Sequence, residues 1–183
     1  RDIMQDSAGL AAFDREMARE KIKVCLANQR PNGNPMRAFD PVDRTPYYDG
    51  AAWIPATILA YLNESGDLSV LDEVCPYFES EETDTVFNHM YKGLRFLLDS
   101  RGKRNMVLWG GGDWNDSINN TGNQLKGESA WLSIATVKAC DEFCRICEIM
   151  GGKEELIAQL QEEKAVLKAA VLEHAFEGDR FIY

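Results

Sequence analysis

The sequence predicts an all-α fold, and two observations carry that prediction. Apolar residues recur at helical spacing through most of the 183 residues, and the segments between are long, rich in proline and glycine, and nearly free of strand-like alternation. Helix, long loop, helix is the order expected when antiparallel helix pairs gather their loops at one end, as in part of an (α/α)6 toroid; an irregular helical bundle would read the same. Six or seven helices can be placed, whereas six closed hairpins need about twelve, so roughly half of the hairpins are present. Residues 1–183 are therefore read as a single segment of such a domain, truncated at both ends, since the chain opens at Arg1 without an initiator Met and closes on Phe181-Ile182-Tyr183.

Each element has a local cause. Residues 7–12 read as a short helix or the end of a longer one. Asp14 is placed to cap a helix over 15–28 with Met17, Cys25 and Leu26 on its apolar stripe. Residues 30–48 carry Pro31, Gly33, Pro35, Pro41 and Pro46, a long loop of the kind that serves a site. Helical periodicity resumes over 50–63 (Trp53, Ile54, Ile58, Leu59, Leu62) and stops at Ser65-Gly66. Asp67 caps a short helix over 68–75, Pro76 begins a turn, and 79–84 is an acidic solvated stretch. Residues 85–98 are helical with Phe87, Met90, Leu94 and Leu97 inward, a long loop covers 100–128, and two further helices span 129–150 and 154–176. Phe181-Ile182-Tyr183 reads as a short strand or extended segment.

Composition removes several function classes. A formal charge of −10 and a pI near 4.7, with no basic cluster beyond Lys103-Arg104, make nucleic acid and anionic membrane poor partners. No apolar run approaches the roughly 18–20 residues that span a bilayer, and Arg1 to Asp6 lack the apolar region of a signal peptide. Five cysteines, an odd number without such a signal, favour a reducing, cytoplasmic setting. Cys140, Cys144 and Cys147 have the spacing that can ligate an iron–sulfur cluster. They also share one helix face with Leu132, Thr136 and Phe143, which makes them small core hydrophobes instead. With His89 and His174 each lacking neighbouring ligands, no metal is expected, and no elbow motif supports a Ser-His-Asp triad.

Site chemistry concentrates in residues 110–116, Gly-Gly-Gly-Asp-Trp-Asn-Asp, followed by Lys126-Gly-Glu-Ser-Ala-Trp131. Glycines allow close backbone approach to a ligand, an indole stacks on the C–H face of a pyranose, Asn and Asp hydrogen-bond hydroxyls, and a loop carboxyl can protonate a glycosidic oxygen. A polar loop with a buried Trp, in which Asp113 and Asp116 are only turn formers, is the alternative. Tyr47 and Tyr48 are either an aromatic platform for an acceptor sugar or loop packing.

Five ordered strings resemble glycoside hydrolase family 94, the inverting disaccharide and β-glucan phosphorylases and the related domain of cyclic β-1,2-glucan synthases. They are Arg1-Asp-Ile-Met-Gln-Asp6, Tyr48-Asp-Gly-Ala-Ala-Trp53, Ser65-Gly-Asp-Leu-Ser-Val-Leu-Asp-Glu73, Gly112-Asp-Trp-Asn-Asp116 and Lys126-Gly-Glu-Ser-Ala-Trp131. The resemblance implies half of a helical toroid in which Asp116 is the general acid. It further implies a sugar-binding set of Arg1, Asp2, Asp49, Asp113, Trp114, Asn115 and Glu128, with Asp113 also positioning the loop. Inorganic phosphate would be nucleophile and co-substrate beside an oligosaccharide, with no other cofactor, and the complete polypeptide would be a homo-oligomer. Gly50 stands where many members have a second aspartate, and the family's phosphate-binding residues and preceding β-sandwich fall outside these residues. Two other readings stay open: an inverting hydrolase, with Asp2 or Asp49 as base roughly 6.5–9.5 Å from Asp116, and a non-catalytic sugar-binding module.

Overall fold

A computed structural model describes residues 1–115, 117–118, 122 and 124–182. Six α-helices dominate it: α1 (Asp2–Leu10), α2 (Arg15–Leu26), α3 (Trp53–Ser65), α4 (Val86–Asp99), α5 (Ala130–Met150) and α6 (Glu154–His174). Three begin where a side chain satisfies a backbone N–H left over by the first turn. Asp14 accepts from Met17 N at 2.9 Å, Thr85 from Asn88 N at 3.1 Å, and Ser129 from Leu132 N at 2.9 Å, caps typically contributing about 0.5–2 kcal/mol each. Gly66, with φ 66°, ends α3 in the left-handed conformation that glycine adopts without a Cβ penalty.

The helices form two rows. α1 packs on α3 and α3 on α5. α2, α4 and α6 lie behind them: α2 against α1 and α3, α4 against α5, α6 against α5. An ion pair from Arg95 to Glu163 at 2.5 Å ties α4 to α6. Between the rows, Ile22, Leu26, Ile54, Ile58, Met90, Leu94, Leu132, Phe143, Leu160 and Leu167 are fully buried, each side chain stabilising the fold by about 1.5–3 kcal/mol. Cys140, Cys144 and Cys147 lie in this core with Leu132, Thr136 and Phe143 on one face of α5. No helix of the described residues is long and apolar enough to cross a membrane.

Several sequence expectations are corrected. Met17 is 50% exposed, because the buried stripe of α2 is Ala18, Ile22, Cys25 and Leu26. The expected helix over 68–75 is a 3-10 turn, Leu68–Asp72, that gives way to β3 (Val74–Pro76), paired antiparallel with β4 (Thr83–Thr85). The acidic stretch thus ends in a strand, where Asp84 faces Lys92 at 3.5 Å. The 30–48 loop contains a two-residue hairpin, β1 (Ala38–Phe39) with β2 (Val42–Asp43), and the C-terminus closes with β5 (Phe176–Glu177) against β6 (Arg180–Phe181).

A buried amide anchors the first long loop. Gln29 Nε2 donates to the carbonyls of Gly33 (2.7 Å) and His89 (3.0 Å) while its Oε1 lies 2.6 Å from His89 Nδ1. Gly33, at φ 95°, lies so close to the Lys92 carbonyl that a Cβ would collide with it. The loop is pinned to α4 from both sides of this turn.

Candidate active site

The N-terminal ends of α1, α3 and α5 converge. Arg1 precedes α1, a 3-10 turn (Asp49–Ala52) leads into Trp53 of α3, and Ser129 and Trp131 open α5. Arg1 Nη1 lies 3.3 Å from Asp49 Oδ2, and Trp53 lies 6.1 Å from Trp131 between ring centroids. Helix N-termini present unpaired N–H groups and partial positive charge, a setting that favours carboxylates and polar oxygens.

The glycine-rich segment is laid over these ends by two backbone seams. Tyr48 N donates to Gly112 O (3.0 Å) and Gly111 N to Pro46 O (2.9 Å), while Trp109 N donates to Gly127 O (2.7 Å) and Ser129 N to Val107 O (2.8 Å). Of the three glycines, Gly110 is the one whose backbone requires the residue type: its φ is 64° and a Cβ would strike the Tyr48 ring. Tyr48 in turn packs edge-on against Phe96 of α4, 4.7 Å between centroids.

Asp113 is fully buried. Ser129 Oγ donates to its Oδ2 at 2.5 Å, and Asn115 N donates to its Oδ1 at 2.8 Å. Trp114, which follows, is 46% exposed. Its ring stacks on Trp131 at 6.0 Å and 19°, meets Trp53 at 5.8 Å and 54°, and carries the Arg1 guanidinium 5.1 Å from its centroid. Aromatic and cation–π contacts of this kind contribute on the order of 0.5–1.5 kcal/mol each. Trp53 Nε1 is buried without a partner among the described residues.

Asp49 is 2% exposed. Burial pushes its carboxyl up from the ordinary value, the Arg1 guanidinium pulls it back, and the Asp113 charge adds to the rise. A half-exposed indole, a buried carboxyl and a guanidinium are thereby held within one contact of each other, and Arg1 and Asp2 also line a cavity of about 260 Å³ together with Ala38, Phe39 and Gly50. The remaining expected residues lie as follows. Asp2 is exposed and pairs with Arg1 at 3.3 Å. Asn115 Oδ1 accepts from Ser117 N at 3.2 Å. Glu128 accepts from Arg104 N at 2.9 Å and lines a different cleft, with Arg101, Lys103, Arg104 and Lys126. Asp116 lies outside the described residues. Among the described residues no three metal-ligating side chains are gathered.

The sequence pattern of the glycosyl hydrolase 94 superfamily catalytic domain matches residues 1–183. The chain belongs to this superfamily. It is 37% identical to solabiose phosphorylase of Paenibacillus borealis over 182 residues, covering 100% of the chain. Identity is 30% to cellobionic acid phosphorylase of Neurospora crassa, over 99% of the chain. It is 29% to 3-O-beta-D-glucopyranosyl-beta-D-glucuronide phosphorylase of Paenibacillus borealis, over 100% of the chain. In each case the match spans 24% of the relative, so the chain spans about a quarter of the length of these curated relatives.

Within this glycosyl hydrolase 94 chain, three residues join the site that sequence reasoning left out of it: Trp53, Trp131 and Ser129. Both tryptophans close strings that carry the resemblance, and Ser129 has the signal of an N-cap, a Ser directly before an apolar helical run. Nothing local says that the Ser129 cap also holds Asp113, since the two are separated by the long motif loop.

Proposed function

We propose that this chain carries the acid-bearing half of the site of an inverting glycoside phosphorylase acting on a β-linked glucobiose or β-glucan. The observation that carries the reading is the half-exposed Trp114, seated on Trp131 beside the Arg1–Asp49 pair and two residues before Asp116. Membership of the superfamily and the phosphorylase names of the relatives support it. In this reading Trp114 takes the apolar face of the glycosyl ring while Arg1, Asp2, Asp49 and Asn115 hold its hydroxyls. Asp116 gives its proton to the leaving glycosidic oxygen as the C–O bond breaks, and a phosphate oxygen bonds to the anomeric carbon from the opposite face. The products are a sugar 1-phosphate of inverted configuration and an acceptor one unit shorter. Phosphate is already anionic, so no protein base is needed, which is how one carboxyl acid suffices where an inverting hydrolase needs two.

The test uses the complete polypeptide that carries residues 1–183, incubated with β-linked glucobioses with and without inorganic phosphate. Glucose 1-phosphate should form only when phosphate is present. Asp116→Asn should lower turnover by about 10²–10⁴-fold with little change in substrate binding, and Asp113→Asn should be milder. Free glucose released without phosphate would replace the phosphorylase with a hydrolase. Binding without turnover would leave a sugar-binding module, and wild-type turnover in Asp116→Asn would remove that residue from the acid's role.

A further inference from the structure

We propose that the first turn of α5 is the positioning device of this site: Ser129, through Asp113, and Trp131, through its ring, set the angle at which Trp114 meets a sugar. The proposal rests on the sugar-binding reading above and adds to it two residues that hold the sugar-binding indole in place without touching the reacting atoms.

The geometry is specific. A serine hydroxyl has one proton and two lone pairs. Ser129 Oγ gives its proton to Asp113 Oδ2 at 2.5 Å and accepts from Leu132 N at 2.9 Å, so the same atom that caps α5 also grips the loop. The second oxygen of Asp113 accepts from Asn115 N at 2.8 Å, across the Trp114 residue itself. Trp114 is therefore bracketed: its peptide neighbours are tied to one carboxylate, and that carboxylate is tied to the rigid end of a helix. The Asp113 and Ser129 side chains are fully buried, where an unmade hydrogen bond costs the full desolvation of the group. Trp131 is two residues beyond Ser129 on the same turn, and its ring lies 19° from coplanar with Trp114. A turn that supplies both a hydrogen-bond tether and a stacking plane fixes both the position and the tilt of the indole. Ser133, one turn on, offers a built-in contrast. Its hydroxyl donates to Ser129 O at 2.7 Å and accepts from Val107 N at 2.9 Å, a buried and purely backbone-directed role.

The experiment compares Ser129→Ala, Ser129→Thr, Trp131→Ala, Trp131→Phe and Ser133→Ala in the complete polypeptide. For each, three quantities are followed: the thermal midpoint, the near-ultraviolet circular dichroism of the tryptophans, and kcat and KM on the β-linked glucobiose that the wild type turns over fastest with inorganic phosphate. Ser129→Ala and Trp131→Ala should lower kcat/KM on the order of 10- to 100-fold, the size expected of a displaced binding group, and should collapse the dichroic couplet of the stacked indoles. Ser129→Thr should keep both. Trp131→Phe should keep kcat/KM close to that of the wild type while weakening the couplet to what the remaining Trp53–Trp114 pair gives. Ser133→Ala should lower the thermal midpoint and leave KM and the couplet unchanged. If Ser129→Ala moves only the thermal midpoint, as Ser133→Ala does, the first turn is merely a helix cap and the proposal fails. Trp114→Ala separates this failure from that of the underlying reading: unchanged KM in that variant would show that the indole does not bind the sugar at all.

Discussion

Asp49 and the buried cysteines show how burial sets chemistry one residue at a time. Asp49 is tolerated in the interior because Arg1 pairs with it at 3.3 Å; removing one partner of such a pair leaves the other charge uncompensated, at a cost of about 3–5 kcal/mol. Desolvation raises the Cys140 thiol from its ordinary value of 9.0 to about 12, and those of Cys25 and Cys147 to about 11. An acid whose folded pKa lies above its unfolded value binds its proton more tightly in the fold. Its contribution is complete below the unfolded pKa and is lost as pH rises from there through the folded value. Thermal stability should therefore fall between about pH 9 and pH 12, checked by melting curves across that range. At pH 8 a disulfide reagent should label these thiols only after denaturant is added; fast labelling of the native chain would contradict their burial. Cys144→Ala should lower stability by roughly 1–2 kcal/mol.

At the scale of elements, the helices were legible and their partners were not. Asp14 and Asp67, the caps expected from the sequence, accept from Met17 N and Ser69 N, because a cap is an interaction over two or three residues; Thr85 and Ser129, expected only as the first residues of their helices, prove to be caps as well. The segment 73–76 has no such local cause. Val74 pairs with Thr85 and Pro76 with Thr83, and Val86 N reaches back to Glu73 O at 2.8 Å, so the strand exists because α4 begins there. The Gln29 clamp is another long-range element, tying the first loop to α4 sixty positions on. Gln29→Ala would leave the Gly33 and His89 carbonyls without their donor and should cost about 1–3 kcal/mol, read from urea midpoints. A shift smaller than a few tenths of a kcal/mol would mean that water replaces the amide.

For the molecule as a whole, the two rows leave apolar surface uncovered. Leu172 is 50% exposed, Phe181 52% and Ile134 39%. Phe181, Ile134, Val137, Val171 and Leu172 line a groove of about 210 Å³ between α5, α6 and the C-terminal hairpin. A second groove, of about 250 Å³, runs along Trp53, Ala56, Trp131, Ile134 and Ala135 on α3 and α5. Contiguous patches of this kind drive association. Residues 1–183 purified alone should therefore self-associate or bind hydrophobic dyes despite the net charge of −10. Sedimentation velocity with dye titration checks this, and a dye-silent monomer would count against it.

What the sequence determined by itself is what depends on neighbours in the chain: an all-α organisation from apolar spacing, helix starts from capping residues, and the ordered strings that mark the superfamily. Trp114 and Asn115 could be singled out as candidates because their residue types and their glycine-rich setting are local facts. Only the tertiary structure decided that the N-termini of α1, α3 and α5 meet, that Trp53 and Trp131 form the bed of Trp114, and that Asp113 is wholly buried on Ser129. It also placed Glu128 in a separate cleft among Arg101, Lys103, Arg104 and Lys126, against the backbone of Arg104. Each of these contacts joins segments from different parts of the chain, and packing between distant helices leaves no periodic or compositional trace in either partner.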